Sequence, residues 1–202
     1  MKKQILVIGG GETFETYDDY LEYLKLYEMN IDRVKAKRWK NELQDVLGDE
    51  WEVIFPVMPS ARNAKYLEWK IWFEKFIPYL RDDVILLGHS LGGTFLVKYL
   101  SENEFPLKIS AAFLIAPPFD DKDRITEHSL ADFILSGSLG KFENQCEKIY
   151  VYFSKDDPVI PFADLSKYEK AFPDAEKVVF EDKGHFNQEE FPELVEKIKN
   201  SF

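Results

Sequence analysis

Short apolar runs, each the length of one strand, recur along the chain at Ile5 to Ile8, Val53 to Phe55, Val84 to Leu87, Ala111 to Ile115, Ile149 to Phe153 and Val178 to Phe180. Most lack polar alternation, as expected for parallel strands buried on both faces. Between them, apolar residues repeat at three- and four-residue spacing. This predicts helices over Asp18 to Tyr27, Arg33 to Leu47, Asn63 to Phe76, Leu91 to Leu100, Phe162 to Phe172 and Gln188 to Ile198. Strand and helix alternate from end to end, the pattern of an α/β fold with a mostly parallel sheet and right-handed crossovers. Two stripes, Tyr17, Tyr20, Leu24 and Tyr27 and then Tyr66, Trp69, Trp72 and Phe73, read as core faces before pocket walls. The least regular stretch, 117 to 147, holds Pro117-Pro118, the charged run Asp120 to Arg124, Gly137 and Gly140. It is either a small mobile lid or a long loop with a short helix around Leu130 to Leu135.

Composition narrows the class. A chain of 202 residues that is 45% hydrophobic supports one well-buried core, so a single domain over 1–202 is expected. Met1-Lys2-Lys3 before an apolar run imitates a signal peptide, but Ile5 to Ile8 is too short and leads into glycines and Glu12. No apolar stretch reaches membrane-spanning length. The lone Cys146 leaves no internal disulfide and fits a reducing compartment, so a cytoplasmic location is expected. A formal net charge of −11 disfavours nucleic acid and anionic membranes as partners. The basic cluster from Arg33 to Arg38 reads as a solvated helix face.

Candidate chemistry is concentrated in two glycine-rich turns. Residues 88 to 93 read GHSLGG, directly after the run Val84 to Leu87 and before a helical pattern, giving G-x-S-x-G from Gly88, Ser90 and Gly92. With glycine at about 7% of average usage, a serine has both flanks by chance in roughly 0.5% of cases. The spacing suits a sharp strand-to-helix turn that lifts the Ser90 hydroxyl above the sheet and aims the Leu91 N–H at a developing oxyanion. A plain glycine turn with an inert serine is the alternative. The second turn, GGGETF after the first strand, could cradle a phosphate, bind a dinucleotide or complete an oxyanion hole. Phe14 stands where the last glycine of a G-x-G-x-x-G fingerprint belongs, and no Gly-Lys-Ser/Thr follows, so the nucleotide readings are weak.

A serine nucleophile needs a base, and a base needs an orienting carboxylate. Of the three histidines, His89 adjoins Ser90 and should point away from its hydroxyl, His128 has no motif around it, and His185 follows the last strand in Lys183-Gly184-His185-Phe186. His185 is therefore the candidate base. Asp156 and Asp157, in Ser154-Lys155-Asp156-Asp157-Pro158, are the candidate acids.

In this Ser, Asp, His order the chain resembles the α/β-hydrolase superfamily. It is close to the compact single-domain serine hydrolases of the retinoblastoma-binding-protein type. The family's Asp-x-x-Val-Pro phrasing is matched most nearly by Asp157-Pro158-Val159-Ile160-Pro161, which favours Asp157 over Asp156, and its Gly-His is matched by Gly184-His185. The resemblance implies a doubly wound sheet of order 2-1-3-4-5-6 flanked by helices. It also implies an oxyanion hole from the N–H groups of Gly11 and Leu91, with Glu12 as the alternative to Gly11. Many relatives carry His-Gly-x in the first loop, where this chain has Gly9-Gly10-Gly11.

The function expected on this basis is cleavage of an acyl bond in a small-molecule substrate through an acyl-enzyme. A carboxylic ester is the first choice, ahead of thioester or peptide cleavage and acyl transfer by the same groups. No metal and no organic cofactor are needed. Met58 and Asn63, just past the second strand, are the expected substrate-binding residues at a pocket rim. A protein-binding module that keeps the fold without the chemistry is the rival reading.

Overall fold

The computed structural model describes residues 2–122 and 129–201. Six strands, β1 (Lys3–Ile8), β2 (Trp51–Ile54), β3 (Val84–His89), β4 (Ile109–Ile115), β5 (Ile149–Ser154) and β6 (Glu176–Phe180), form one sheet. Its order is β2-β1-β3-β4-β5-β6, and every neighbouring pair is parallel. The central strands β3, β4 and β5 are buried along their whole length, which explains their unbroken apolar sequences. The edge strands β2 and β6 are only half-buried.

Among the described residues, eight helices accompany the sheet: α1 (Tyr17–Leu26), α2 (Ile31–Lys35), α3 (Trp39–Leu47), α4 (Tyr66–Glu74), α5 (Leu91–Glu102), α6 (Gly140–Gln145), α7 (Asp164–Ala171) and α8 (Pro192–Lys199). The α5 helix is almost entirely buried. Its Phe95 contacts Trp69 and Phe73 of α4 through edge-on rings, with centroids 5.7 and 5.3 Å away. Among the described residues, no helix is long and apolar enough to cross a membrane.

Two expected helices are interrupted where the backbone is drawn into a tertiary contact, and a third starts late. The helix expected over Arg33 to Leu47 breaks before Trp39. Arg38 is extended, and the Trp39 backbone and indole N–H groups donate to the carbonyls of Gln188 and Phe186 at 3.1 and 2.8 Å. The helix expected from Asn63 becomes a 3-10 turn, Ala61–Asn63, and then α4, because the Ala64 N–H turns away to the Glu12 carbonyl at 2.8 Å. The last helix starts only at Pro192, a residue suited to a helix's first turn but lacking an N–H to continue one from upstream.

The first aromatic stripe is not a core face, since α1 has no buried residue and Tyr17 is 65% exposed. In the second stripe, Trp69 and Phe73 are buried while Trp72 is not. Within the irregular segment, residues 123–128, including His128, lie outside the described residues. Its flanks are tied down: Asp121 accepts from the Ser129 hydroxyl and the Leu130 N–H at 2.8 and 2.6 Å, and the Thr13 hydroxyl donates to the Ser129 carbonyl. The short helix expected around Leu130 to Leu135 is a 3-10 turn, Ala131–Phe133.

Candidate active site

The sheet order reverses between β1 and β3, and the loops leaving these two strands meet in the crevice that such a reversal opens. Ser90 caps α5 with φ 56° and ψ −129°, a conformation side chains rarely adopt. Its N–H donates to the Ile115 carbonyl at 2.8 Å, fastening the turn to β4. The flanking glycines follow from crowding. A Cβ on Gly92 would stand 2.2 Å from the Ile8 carbonyl oxygen, and one on Gly88 would stand 2.5 Å from the Gly93 backbone. Strand and helix pass this closely only without side chains.

The loop after β1 lies against this turn. A Cβ on Gly10 would sit 3.0 Å from Ser90 Cβ, and one on Gly11 would collide with the Ala61 carbonyl at 2.7 Å. Two backbone bonds clamp the loop to the Ser60–Ala64 turn, as Glu12 N–H donates to the Ala61 carbonyl and Ala64 N–H to the Glu12 carbonyl, both at 2.8 Å. Glu12 N–H, the alternative oxyanion donor, is thus already engaged. The N–H groups of Gly11 and Leu91 donate to no partner among the described residues.

The loops after β5 and β6 bring His185 and Asp157 together. Asp157 Oδ2 is 2.8 Å from His185 Nδ1, and the two side chains are 1% and 10% exposed. The other Asp157 oxygen accepts from the N–H groups of Val159 and Ile160 at 2.8 and 3.0 Å. Asp156 does a different job from an exposed position. It accepts from the Ser154 hydroxyl at 2.6 Å and the Gly184 N–H at 2.8 Å, and these bonds hold its carboxyl below the usual range. Asp156 fastens the loop before His185, whereas Asp157 touches the imidazole itself.

Met58 does not stand at a rim. At 4% exposure it belongs to the hydrophobic core, a correction to the sequence expectation that follows from its position on the inner side of the chain leaving β2. Asn63 is partly exposed in the turn that clamps Glu12, and its Oδ1 is buried without a hydrogen-bond partner among the described residues. Cys146 bridges to Ile109 at the opposite, N-terminal edge of β4, and burial pushes its thiol up to about 12. It plays no part in this crevice.

Two buried residues to which the sequence reading gives no role bond toward the His185 loop. His89 is 3% exposed, with its Nε2 2.9 Å from the His185 carbonyl and its Nδ1 2.7 Å from the Nζ of Lys40, itself 6% exposed. Lys40 shares a helical stripe with Leu43 and Leu47, a signal that could have placed it inside.

The chain matches the serine hydrolase family over residues 31–200. It belongs to that family. The chain is also similar to the serine hydrolase RBBP9 of Rattus norvegicus, 25% identical over 143 residues that cover 71% of this chain and 74% of the rat protein. Among solved structures, the ydeN gene product of B. subtilis superposes with a TM-score of 0.74 at 18% identity, over 100% of this chain and 99% of the other. Polyneuridine aldehyde esterase superposes with a TM-score of 0.61 at 15% identity, over 99% of both chains. The fold of this serine hydrolase is the α/β-hydrolase fold, with its six parallel strands in the order 2-1-3-4-5-6.

Proposed function

We propose that this chain hydrolyses small carboxylic esters through an acyl-enzyme on Ser90. The observation that carries the reading is the 2.8 Å bond between His185 and buried Asp157, with the His185 ring 4.9 Å from that of His89, the residue before a serine held at positive φ. In this reading Ser90 Oγ attacks the ester carbonyl while His185 Nε2 takes its proton. Asp157 fixes the tautomer with Nδ1 protonated and stabilises the imidazolium. The N–H groups of Gly11 and Leu91 receive the oxyanion, each such donor being worth about 10²–10³ in rate. Collapse breaks the ester C–O bond, and His185 returns the proton to the departing alcohol. Water then attacks the acyl carbonyl and gives its proton to His185, which passes it to Ser90 Oγ as the acyl–Oγ bond breaks, releasing the acid and free Ser90.

Asn63, beside the oxyanion loop with its unpartnered Oδ1, is proposed to contact substrate, and Met58 is not. A cleft of about 610 Å³ adjoins His185, with Asp182, Glu189 and Glu190 against the single cation Lys183 in its lining, and it lies to the side of Ser90, which does not line it. Its carboxylates favour neutral or cationic substrates over anionic ones. Together with the net charge of −11, they support a neutral ester as substrate.

The test is turnover of short p-nitrophenyl esters as a function of pH. The rate is expected to fall toward acid, because a general base acts only in its unprotonated form, with acidic acyl chains turned over less well than neutral ones. A rate flat through the acid range would remove His185 as the base. Absence of turnover across an ester panel, together with a stable protein complex that survives Ser90→Ala, would favour the binding-module reading.

A further inference from the structure

Lys40 is a cation inside the protein with no carboxylate partner among the described residues. Among the described residues its one side-chain hydrogen-bond partner is His89. Burial, aided by the nearby positive charge of Arg38, pushes its pKa down from 10.5 to about 7. A residue this costly, kept in a core position, calls for a local reason.

The hydrogen bonds supply one. A carbonyl oxygen only accepts, so the 2.9 Å contact between His89 Nε2 and the His185 carbonyl requires the proton on Nε2. His89 Nδ1 then offers a lone pair, which accepts from Lys40 Nζ at 2.7 Å. Burial, then the charge on Lys40, holds the His89 pKa well below the usual histidine range, so the ring stays neutral. That neutral ring lies with its centroid 4.9 Å from the His185 ring. The titratable and charged groups that act on this pair are Arg38, just before α3, and His185, from the loop after β6.

Trp39, next to Lys40, binds the same loop through the carbonyls of Phe186 and Gln188. The loop needs such anchors, because Gly184 and Phe186, on either side of His185, both have positive φ.

We propose that Lys40 and His89 are positioning residues, a relay in which the Lys40 amine fixes the His89 tautomer and His89 fixes the backbone of His185, so that the imidazole tethered by Asp157 faces Ser90. The proposal rests on the catalytic reading above. Asp157 sets the ring, and the Lys40–His89 relay sets the backbone that carries it. Neither positioning residue touches substrate.

The experiment is ester-turnover kinetics for Lys40→Met, His89→Leu, His89→Gln, Ser90→Ala and wild type, with thermal stability measured on the same samples. Lys40→Met fills the same volume without the charge. The native lysine pKa lies below the unfolded value, so the unfolded chain binds more protons between about pH 7 and 10.5 and the lysine costs stability at pH 7. The methionine variant is therefore expected to melt no lower than wild type at pH 7, with any advantage shrinking toward pH 10.5. Its kcat is nevertheless expected to fall roughly 10- to 100-fold at unchanged KM, the scale of a small misplacement of a reacting group.

His89→Leu is expected to fall as far, while His89→Gln, which keeps a donor for the His185 carbonyl, recovers most of the loss. Wild-type kcat in Lys40→Met or His89→Leu would overturn the relay, as would losses that only track lost stability. If Lys40→Met does not fold, the contrast between the two His89 variants decides. Retained turnover in Ser90→Ala would instead remove the catalytic reading and the relay with it, whereas a dead Ser90→Ala beside fully active Lys40 and His89 variants removes the relay alone.

Discussion

Ser90→Ala is expected to lower kcat for ester hydrolysis by roughly 10⁶-fold while leaving the fold intact. The substitution removes one oxygen from a half-buried side chain that caps no helix N–H and makes no hydrogen bond among the described residues. Alanine and serine meet the same steric resistance at φ 56°, so the turn keeps its cost and its shape. Residual rate over water would come from the oxyanion donors and from substrate binding. Steady-state kinetics with a melting curve for each protein check both halves, and a Tm close to wild type shows that the lost rate is chemical.

The next largest effect is expected from Asp157→Asn, about 10⁴-fold in kcat. Asp157 spreads its bonds over both oxygens, one taking the His185 Nδ1 proton and the other the N–H groups of Val159 and Ile160. An amide oxygen can keep the two backbone donors. The amide NH₂ then faces Nδ1 and selects the tautomer with the proton on Nε2, where a lone pair is needed to receive the serine proton. Asp156→Asn serves as the control. Its Oδ1 accepts from both Ser154 and Gly184 without touching the imidazole, and an amide oxygen can keep both bonds at reduced strength, so the substitution is expected to cost less than about tenfold. Equal effects from the two substitutions would show that the turn matters only as a scaffold for the loop.

The contrast between these neighbours shows what could be read from the sequence. The strands themselves were legible because β3, β4 and β5 are buried on both faces and appear as unbroken apolar runs, and because G-x-S-x-G fixes a strand, a turn and a helix at once, whereas their order 2-1-3-4-5-6 was what the resemblance to the α/β-hydrolase superfamily implied. The helix boundaries were not. Arg38 and Ala64 carry no Gly or Pro signal, and their helices break because Trp39 and Ala64 bond to loops far away in sequence, at Phe186 to Gln188 and at Glu12. Tertiary hydrogen bonds outweighed local propensity at both points.

The exposed α1 stripe failed for a related reason, since spacing shows which residues share a face but not whether anything covers it. Lys40 was hidden by its charge. It lies just past the basic cluster Arg33 to Arg38, and the sequence reading gives it no role, although Leu43 and Leu47 share its face. Two of these departures, at Trp39 and Lys40, connect to the His185 loop, Trp39 directly and Lys40 through His89.

The central claim is that Ser90 is an activated nucleophile, and the most direct measurement is the intact mass of the protein after treatment with a fluorophosphonate probe. A single adduct on wild type, absent from Ser90→Ala, is the predicted result. No adduct on folded wild type, or an adduct that persists in Ser90→Ala, would contradict it.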